Sequence, residues 1–160
     1  MEARSKTGKG VGARLLRKED DRYMRGRGKF IADIRLAGMK DVAFLRSPLA
    51  HARLKGISVP ERLRGRTFTH EDMTGVQAIR AVTGLSGFKV SEQPPLATGK
   101  VRHVGELVAM CLGESRAEAE DFVAEIDVQF EELQAIVDML EGGRSDSPLV
   151  HEDWGDNIYL

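Results

Sequence analysis

Four histidines and one cysteine are the side chains of this sequence best suited to metal binding or nucleophilic chemistry. His51, His70, His103 and His151 never stand three or four residues apart, and no C-x-x-C accompanies them. Tetrahedral metal binding therefore has no spacing to rest on. The tripeptides His70-Glu71-Asp72 and His151-Glu152-Asp153 mirror one another and together hold nitrogen and oxygen donors. Adjacent residues diverge along a chain, so two surface loops are favoured over a shared ion. Cys111 lies within Val108-Ala109-Met110-Cys111-Leu112, an apolar run that raises a thiol pKa and hides the sulfur. It reads as core, not as a nucleophile.

Phosphate and acyl chemistry fare no better. Gly26-x-Gly28 resembles the start of a dinucleotide fingerprint, yet it precedes an apparent strand where it should follow one, and the third glycine is missing. Gly99-Lys100 ends like a phosphate loop, but Val101 replaces Ser or Thr and Pro94 replaces the first glycine. There is no G-x-S-x-G elbow. Glu106, behind Gly105 at the head of an apolar strand, is expected to cap backbone amides in a turn. Arg46-Ser47-Pro48 with His51 forms a compact polar cluster between two apolar runs. It is either a turn or an interface anchor, since Arg and His suit oriented polar contacts.

The elements that must carry these residues follow from periodicity. Phe30, Ala32, Ile34 and Leu36 alternate with Ile31, Asp33 and Arg35, the period of a strand. Further strands are predicted over Val42–Arg46, Ala52–Val59 and Val76–Val82, with a short helix or loop over Pro60–Asp72. Gly84 to Lys100, with Pro94-Pro95, is a long connection of a kind that is often functional. Leu107–Leu112 is continuously apolar, as for a strand buried on both faces. Ser115-x-x-Glu118 is a capping box that opens a helix carrying Ala119, Phe122, Val123 and Ile126 on one side. The period then switches to two at Ile126, Val128 and Phe130, and Ile136-Val137 is predicted as a last short strand. The tail from Pro148 shows no clear element. A helix between strands, with strands in the majority, gives an α+β class: a mixed, strand-rich sheet with one or two packed helices.

Composition bounds the function. With 41% hydrophobic and 31% charged residues, the chain is an ordinary globular domain. No apolar run approaches the roughly 18 residues of a membrane helix, and one cysteine excludes an internal disulfide, so a cytoplasmic setting is expected. The net charge of −1 conceals a basic stretch from Arg4 to Lys29 and an acidic one from Glu114 to Asp156. A partner protein is favoured over nucleic acid, because only Tyr23 and Phe30 offer stacking in the basic stretch and no nucleic-acid module follows it.

Four segments, in order, resemble one family: RKEDDRYMRGRGKFIADI, FLRSPLAHARLKGIS, PPLATGKVRHVGELVAMCLGESRAEAEDFVAEIDVQFEELQAIVDM and LVHED. They are similar to the N-terminal α/β hammerhead domain of the molybdenum-hydroxylase large subunit, the group of xanthine dehydrogenase, aldehyde oxidase and bacterial carbon monoxide dehydrogenase. The resemblance implies a hammerhead over residues 14–157, preceded by a flexible basic arm over 1–13 and followed by a tail over 158–160. It also implies a complex in which a molybdenum–pterin site hydroxylates a carbon centre and electrons leave through 2Fe–2S clusters, usually to FAD. In the family the pterin-binding domains, the glutamine near molybdenum and the essential late glutamate all lie beyond this domain. No catalytic, cofactor-binding or metal residue therefore carries over to this chain, which is expected to bind none of these groups itself. The iron–sulfur cysteines belong to another subunit, and one cysteine could not hold a cluster. The expected role is non-catalytic assembly on a molybdopterin-binding catalytic polypeptide, with an iron–sulfur subunit and a flavin subunit as further partners. A separately encoded piece of a split large subunit is expected ahead of an isolated domain. The alternative is a free-standing module that uses its basic arm on an acidic protein or nucleic acid. Arg46, Ser47, Pro48 and His51 are the candidate interface residues.

Overall fold

A computed structural model describes Val11 and residues 17–160. The basic arm expected over residues 1–13 lies, apart from Val11, outside the described residues, as does Arg14. The chain divides into two units, Met1–Met39 and Lys40–Leu160.

In the first unit a short helix, α1 (Asp20–Met24), carries Asp20 and Asp21 in its first turn, where carboxylates suit the amide-rich end. The Asp20 carboxylate accepts the Arg17 N–H at 3.3 Å, and Arg25 pairs with Asp21 at 2.7 Å. Tyr23 stacks on Phe30 with ring centroids 5.9 Å apart. The strand predicted from Phe30 to Leu36 does not form; a 3-10 turn, Ile31–Asp33, replaces it. Local bonds outcompete a ladder here. The Asp33 carboxylate accepts the Phe30 N–H (3.0 Å), and the Arg35 guanidinium donates to the carbonyls of Ala32 and Ile34 (3.1 and 3.0 Å).

The second unit is built from antiparallel strands. β1 (Asp41–Arg46) pairs with β7 (Leu107–Gly113), and β3 (Thr67–Phe68) extends the other edge of β7. β2 (Ala52–Ser58) lies between β6 (Lys100–Val101) and β8 (Asp127–Glu132). β4 (Ile79–Arg80) and β5 (Glu92–Gln93) make a two-stranded ribbon. The α+β class stands, with the strands distributed over three small antiparallel sheets. The apolar runs at Val42, Ala52 and Leu107 become β1, β2 and β7. Val76–Val82 contracts to two residues, and Pro60–Asp72 becomes two 3-10 turns flanking β3. Ile136-Val137 is not a strand. The Asp138 carboxylate accepts the amides of Leu140 and Glu141 (2.7 and 3.2 Å) and opens a short helix instead, α3 (Met139–Gly142).

The longer helix, α2 (Arg116–Ala124), starts where the capping pattern predicted. Ser115 Oγ accepts the Glu118 N–H at 3.3 Å, while the reciprocal bond shifts by one residue: the Glu118 carboxylate accepts the Glu114 N–H at 2.5 Å. α2 lies against β1 and β7. One part of the core gathers Ala52, Ala97, Val101 and Val108; another gathers Ala109, Cys111 and Ile126, with Phe122 and Val123 of α2. Leu45, Ile57 and Val128 touch both and make the two continuous. Cys111 is fully buried, with its sulfur 3.4 Å from Thr67 Oγ1. Burial pushes its thiol pKa up, as a core residue requires.

Candidate functional site

The polar cluster after β1 serves the chain's own turns. Ser47 and His51 are buried. Ser47 Oγ donates to the Leu49 carbonyl (2.8 Å) and accepts the Leu49 N–H (3.1 Å), while the Ser47 backbone exchanges bonds with Glu106 and Gly105. His51 Nδ1 lies 2.8 Å from the Gln134 carbonyl oxygen, so it carries the proton and donates; among the described residues none hydrogen-bonds to Nε2. Arg46 and Pro48 are exposed, and the Arg46 guanidinium donates to the Gly105 carbonyl at 2.9 Å. Glu106 takes its expected place: its buried carboxylate accepts the Arg102 N–H at 2.5 Å, across a turn that Gly105 makes at φ +87°.

The acidic tail, which showed no element in the sequence, is tied down by Lys100, distant in sequence, and by its own Asn157. Lys100, buried in β6, donates through Nζ to Glu152 at 2.7 Å and to the Leu149 carbonyl at 3.4 Å, so the ammonium of the phosphate-loop-like pair is committed internally. Asn157 accepts the Val150 N–H (2.8 Å) and donates to the carbonyls of Gly142 (3.1 Å) and Pro148 (2.9 Å). No sequence motif marks these bonds; the only signal is a single Asn among the acidic and aromatic residues of the tail. Asn157→Ala removes all three and is expected to cost about 2 kcal/mol. Thermal melts followed by Trp154, the only tryptophan, check this; an unchanged midpoint would contradict it.

His151 stacks on Trp154 with centroids 4.3 Å apart, and Tyr159 meets Trp154 edge-on at 4.6 Å. Burial, then the charge of Arg102, push the His151 imidazole below its ordinary value, more than Asp153 and Glu152 restore. The unfolded chain therefore takes the proton first. Stability from this group is complete above about pH 6.5 and is lost as pH falls through the folded pKa. Melting midpoints between about pH 7.5 and 5 are expected to fall more steeply for the parent chain than for His151→Phe; parallel curves would refute it.

The feature with the greatest capacity for recognition lies on the sheet of β1, β7 and β3. Its inner face presents Ala43, Cys111 and Thr67 to the core. Strand alternation sends Val42, Phe44, Phe68, Met110 and Leu112 to the other face. They are direct neighbours there: Val42 opposes Leu112, and Met110 stands between Phe44 and Phe68. Phe44 and Val42 each remain 40% exposed, and the other three are half-buried. The sheet is apolar on both sides, but only one side is closed, so the burial on both faces expected of β7 is not met: among the described residues nothing covers the side of Met110 and Leu112.

Metal-binding chemistry has little to work with. Among the described residues no three His, Cys, Asp or Glu side chains converge as a metal site, and the single cysteine is buried with a raised pKa. Iron–sulfur ligation needs several thiolates, and the sequence has one cysteine, so the described residues do not fit such a cluster. Among them no helix is long and apolar enough to cross a membrane.

Residues 25–134 match the model of the aldehyde oxidase and xanthine dehydrogenase a/b hammerhead domain. The chain is 35% identical over 156 residues to the nicotine 6-hydroxylase large subunit of Paenarthrobacter nicotinovorans, covering 92% of this chain and 19% of that protein. It is 30% identical over 160 residues to the carbon monoxide dehydrogenase large chain of Hydrogenophaga pseudoflava, covering 95% and 19%. Among solved structures, quinoline 2-oxidoreductase from Pseudomonas putida 86 aligns over 80% of this chain and 17% of its own, with 41% identity and a TM-score of 0.75. The Cu,Mo-CO dehydrogenase in its carbon monoxide reduced state aligns over 97% and 20%, with 28% identity and a TM-score of 0.81. The chain spans about a fifth of the length of these relatives.

Proposed function

The chain belongs to the aldehyde oxidase and xanthine dehydrogenase hammerhead family of molybdenum-containing oxidoreductases, and on that premise we propose that it is a non-catalytic assembly element of a molybdenum-dependent hydroxylase. Its hammerhead, taken over residues 14–157, docks on the molybdopterin-binding catalytic polypeptide. The observation that carries this is the open apolar face of Val42, Phe44, Phe68, Met110 and Leu112. Large contiguous apolar surface on one side of a sheet marks an interaction site. A stable interface buries above roughly 1,000 Å² in total. Arg46 and Pro48, exposed at the end of β1, belong to the rim of the same contact, while Ser47 and His51 shape the turn from within.

The chemistry is then the partner's. A molybdenum–pterin group supplies hydroxylation, and 2Fe–2S clusters and FAD on further subunits carry the electrons away. This chain contributes shape, apolar contact area and a rigid sheet. Apolar docking tolerates moderate salt, whereas contacts to phosphate weaken steeply with it. The test is capture of partners by the tagged chain from an extract of its native cell at moderate salt, with metal analysis of the eluate. Molybdenum and iron arriving with larger polypeptides are expected. A metal-free eluate, or nucleic acid released by salt, would overturn the assembly role.

A further inference from the structure

The ribbon of β4 and β5 has a composition unlike the rest of the chain. Residues 73–93 include only three charged side chains, Arg80, Lys89 and Glu92, against 31% charged residues overall. All three are used internally: Arg80 pairs with Glu92 at 3.0 Å, and Lys89 pairs with Asp156 at 2.5 Å. The segment therefore offers an incoming partner no free charge. It does offer apolar surface: Val76, Ile79, Val82, Leu85 and Val90 are all exposed, Val82 at 92%.

These side chains are held outward. At one end the ribbon closes through Arg80–Glu92 and the Ala81 N–H donating to the Ser91 carbonyl (3.4 Å). At the other, the Lys89 N–H donates to the Tyr159 carbonyl (2.8 Å), and the Phe88 ring lies 6.1 Å from that of Tyr159. Residues 81–87 span these anchors with no buried member. A two-stranded ribbon is marginally stable alone. One that keeps five large apolar side chains in water and satisfies its charges within the chain is matched to a permanent, water-excluding contact. The centres of such interfaces are depleted of charge. Nucleic acid or an acidic peptide would need free cations, and none is present here.

We propose that residues 73–93 form a docking arm, separate from the open face of β1, β7 and β3, that inserts into an uncharged apolar groove of the molybdopterin-binding polypeptide. This rests on the assembly role proposed above, and the following experiment separates the two. Tagged full-length chain and its Val82→Asp/Leu85→Asp variant are each used to capture partners from the native extract; molybdenum and pterin are quantified, and amide exchange over residues 76–90 is compared between free and captured chain. Both substituted side chains are exposed, so the melting temperature is expected to stay unchanged. The parent chain is expected to carry molybdenum and pterin and to gain exchange protection over 76–90, and the variant to lose at least about tenfold of the captured molybdenum. A variant that retains molybdenum at the parent level overturns the arm and leaves the assembly role standing. A parent chain that captures no molybdenum overturns both. If the variant melts early, the parent decides: protection over 76–90 in its complex supports the arm, and no protection refutes it.

Discussion

Gly113→Ala is expected to destabilise the chain by about 3 kcal/mol, at the top of the range for overpacking. Gly113 ends β7 directly beneath the first turn of α2. A Cβ there would stand 2.6 Å from the Ala119 nitrogen and 2.7 Å from the Ser115 carbonyl oxygen. Those two atoms form the first hydrogen bond of the helix, at 3.0 Å. Both are backbone, so no side chain can swing away; either the helix lifts off the sheet or its first turn opens. Lifting also separates Phe122 and Val123 from Cys111 and Ala109. Urea unfolding measures the loss, with Gly84→Ala as the control, since a Cβ at Gly84 meets nothing within 4 Å. A Gly113→Ala midpoint close to that of the control would show that α2 does not sit on β7 as closely as described.

Phe44→Asp is expected to leave the chain folded while weakening its capture of the molybdopterin-binding polypeptide by at least about 100-fold, or ~2.7 kcal/mol. Phe44 is the more exposed of the two phenylalanines on the open face, and it stands opposite Met110 across the strand pair. Aromatic side chains buried at the centre of an interface dominate binding, and a carboxylate in their place would be desolvated without a partner. In the free chain the same carboxylate stays in water, because the position is 40% exposed. Binding is read by calorimetry against the purified partner and folding by the melting midpoint. Undiminished affinity would remove this face from the interface. A collapsed midpoint would make Phe44 part of the chain's own core, and Val42→Asp at the rim would then show whether the face still docks.

The sequence made some elements legible and left others hidden, for reasons visible in particular residues. β1, β2, β7, β8 and α2 were readable because each carries a continuous or periodic apolar run, and Ser115 marks the helix start with its own side chain. Cys111 and Glu106 were readable from their immediate neighbours, which fix burial for one and a turn amide for the other. The segment from Phe30 to Leu36 misled because alternation states only which side chains could share a face; Asp33 and Arg35 satisfied the backbone before any partner strand could. Of the candidate interface residues, the cluster at Arg46 was visible as polar, but the division into buried Ser47 and His51 and exposed Arg46 and Pro48 depends on Gln134, Gly105 and Glu106, far along the chain.

By itself, then, the sequence determined the class of fold and the family, since these depend on local period and motif order. Tertiary structure decided which side of each apolar strand remains open. β7 is apolar throughout, and only its pairing with β1 and β3 and the seat of α2 on one face leave Phe44 and Met110 on the other. It also decided the fate of the tail, where Lys100 reaches Glu152 and Asn157 reaches back to Gly142. Burial and hydrogen-bond satisfaction are properties of neighbours in space, and a chain read in order shows only neighbours in sequence.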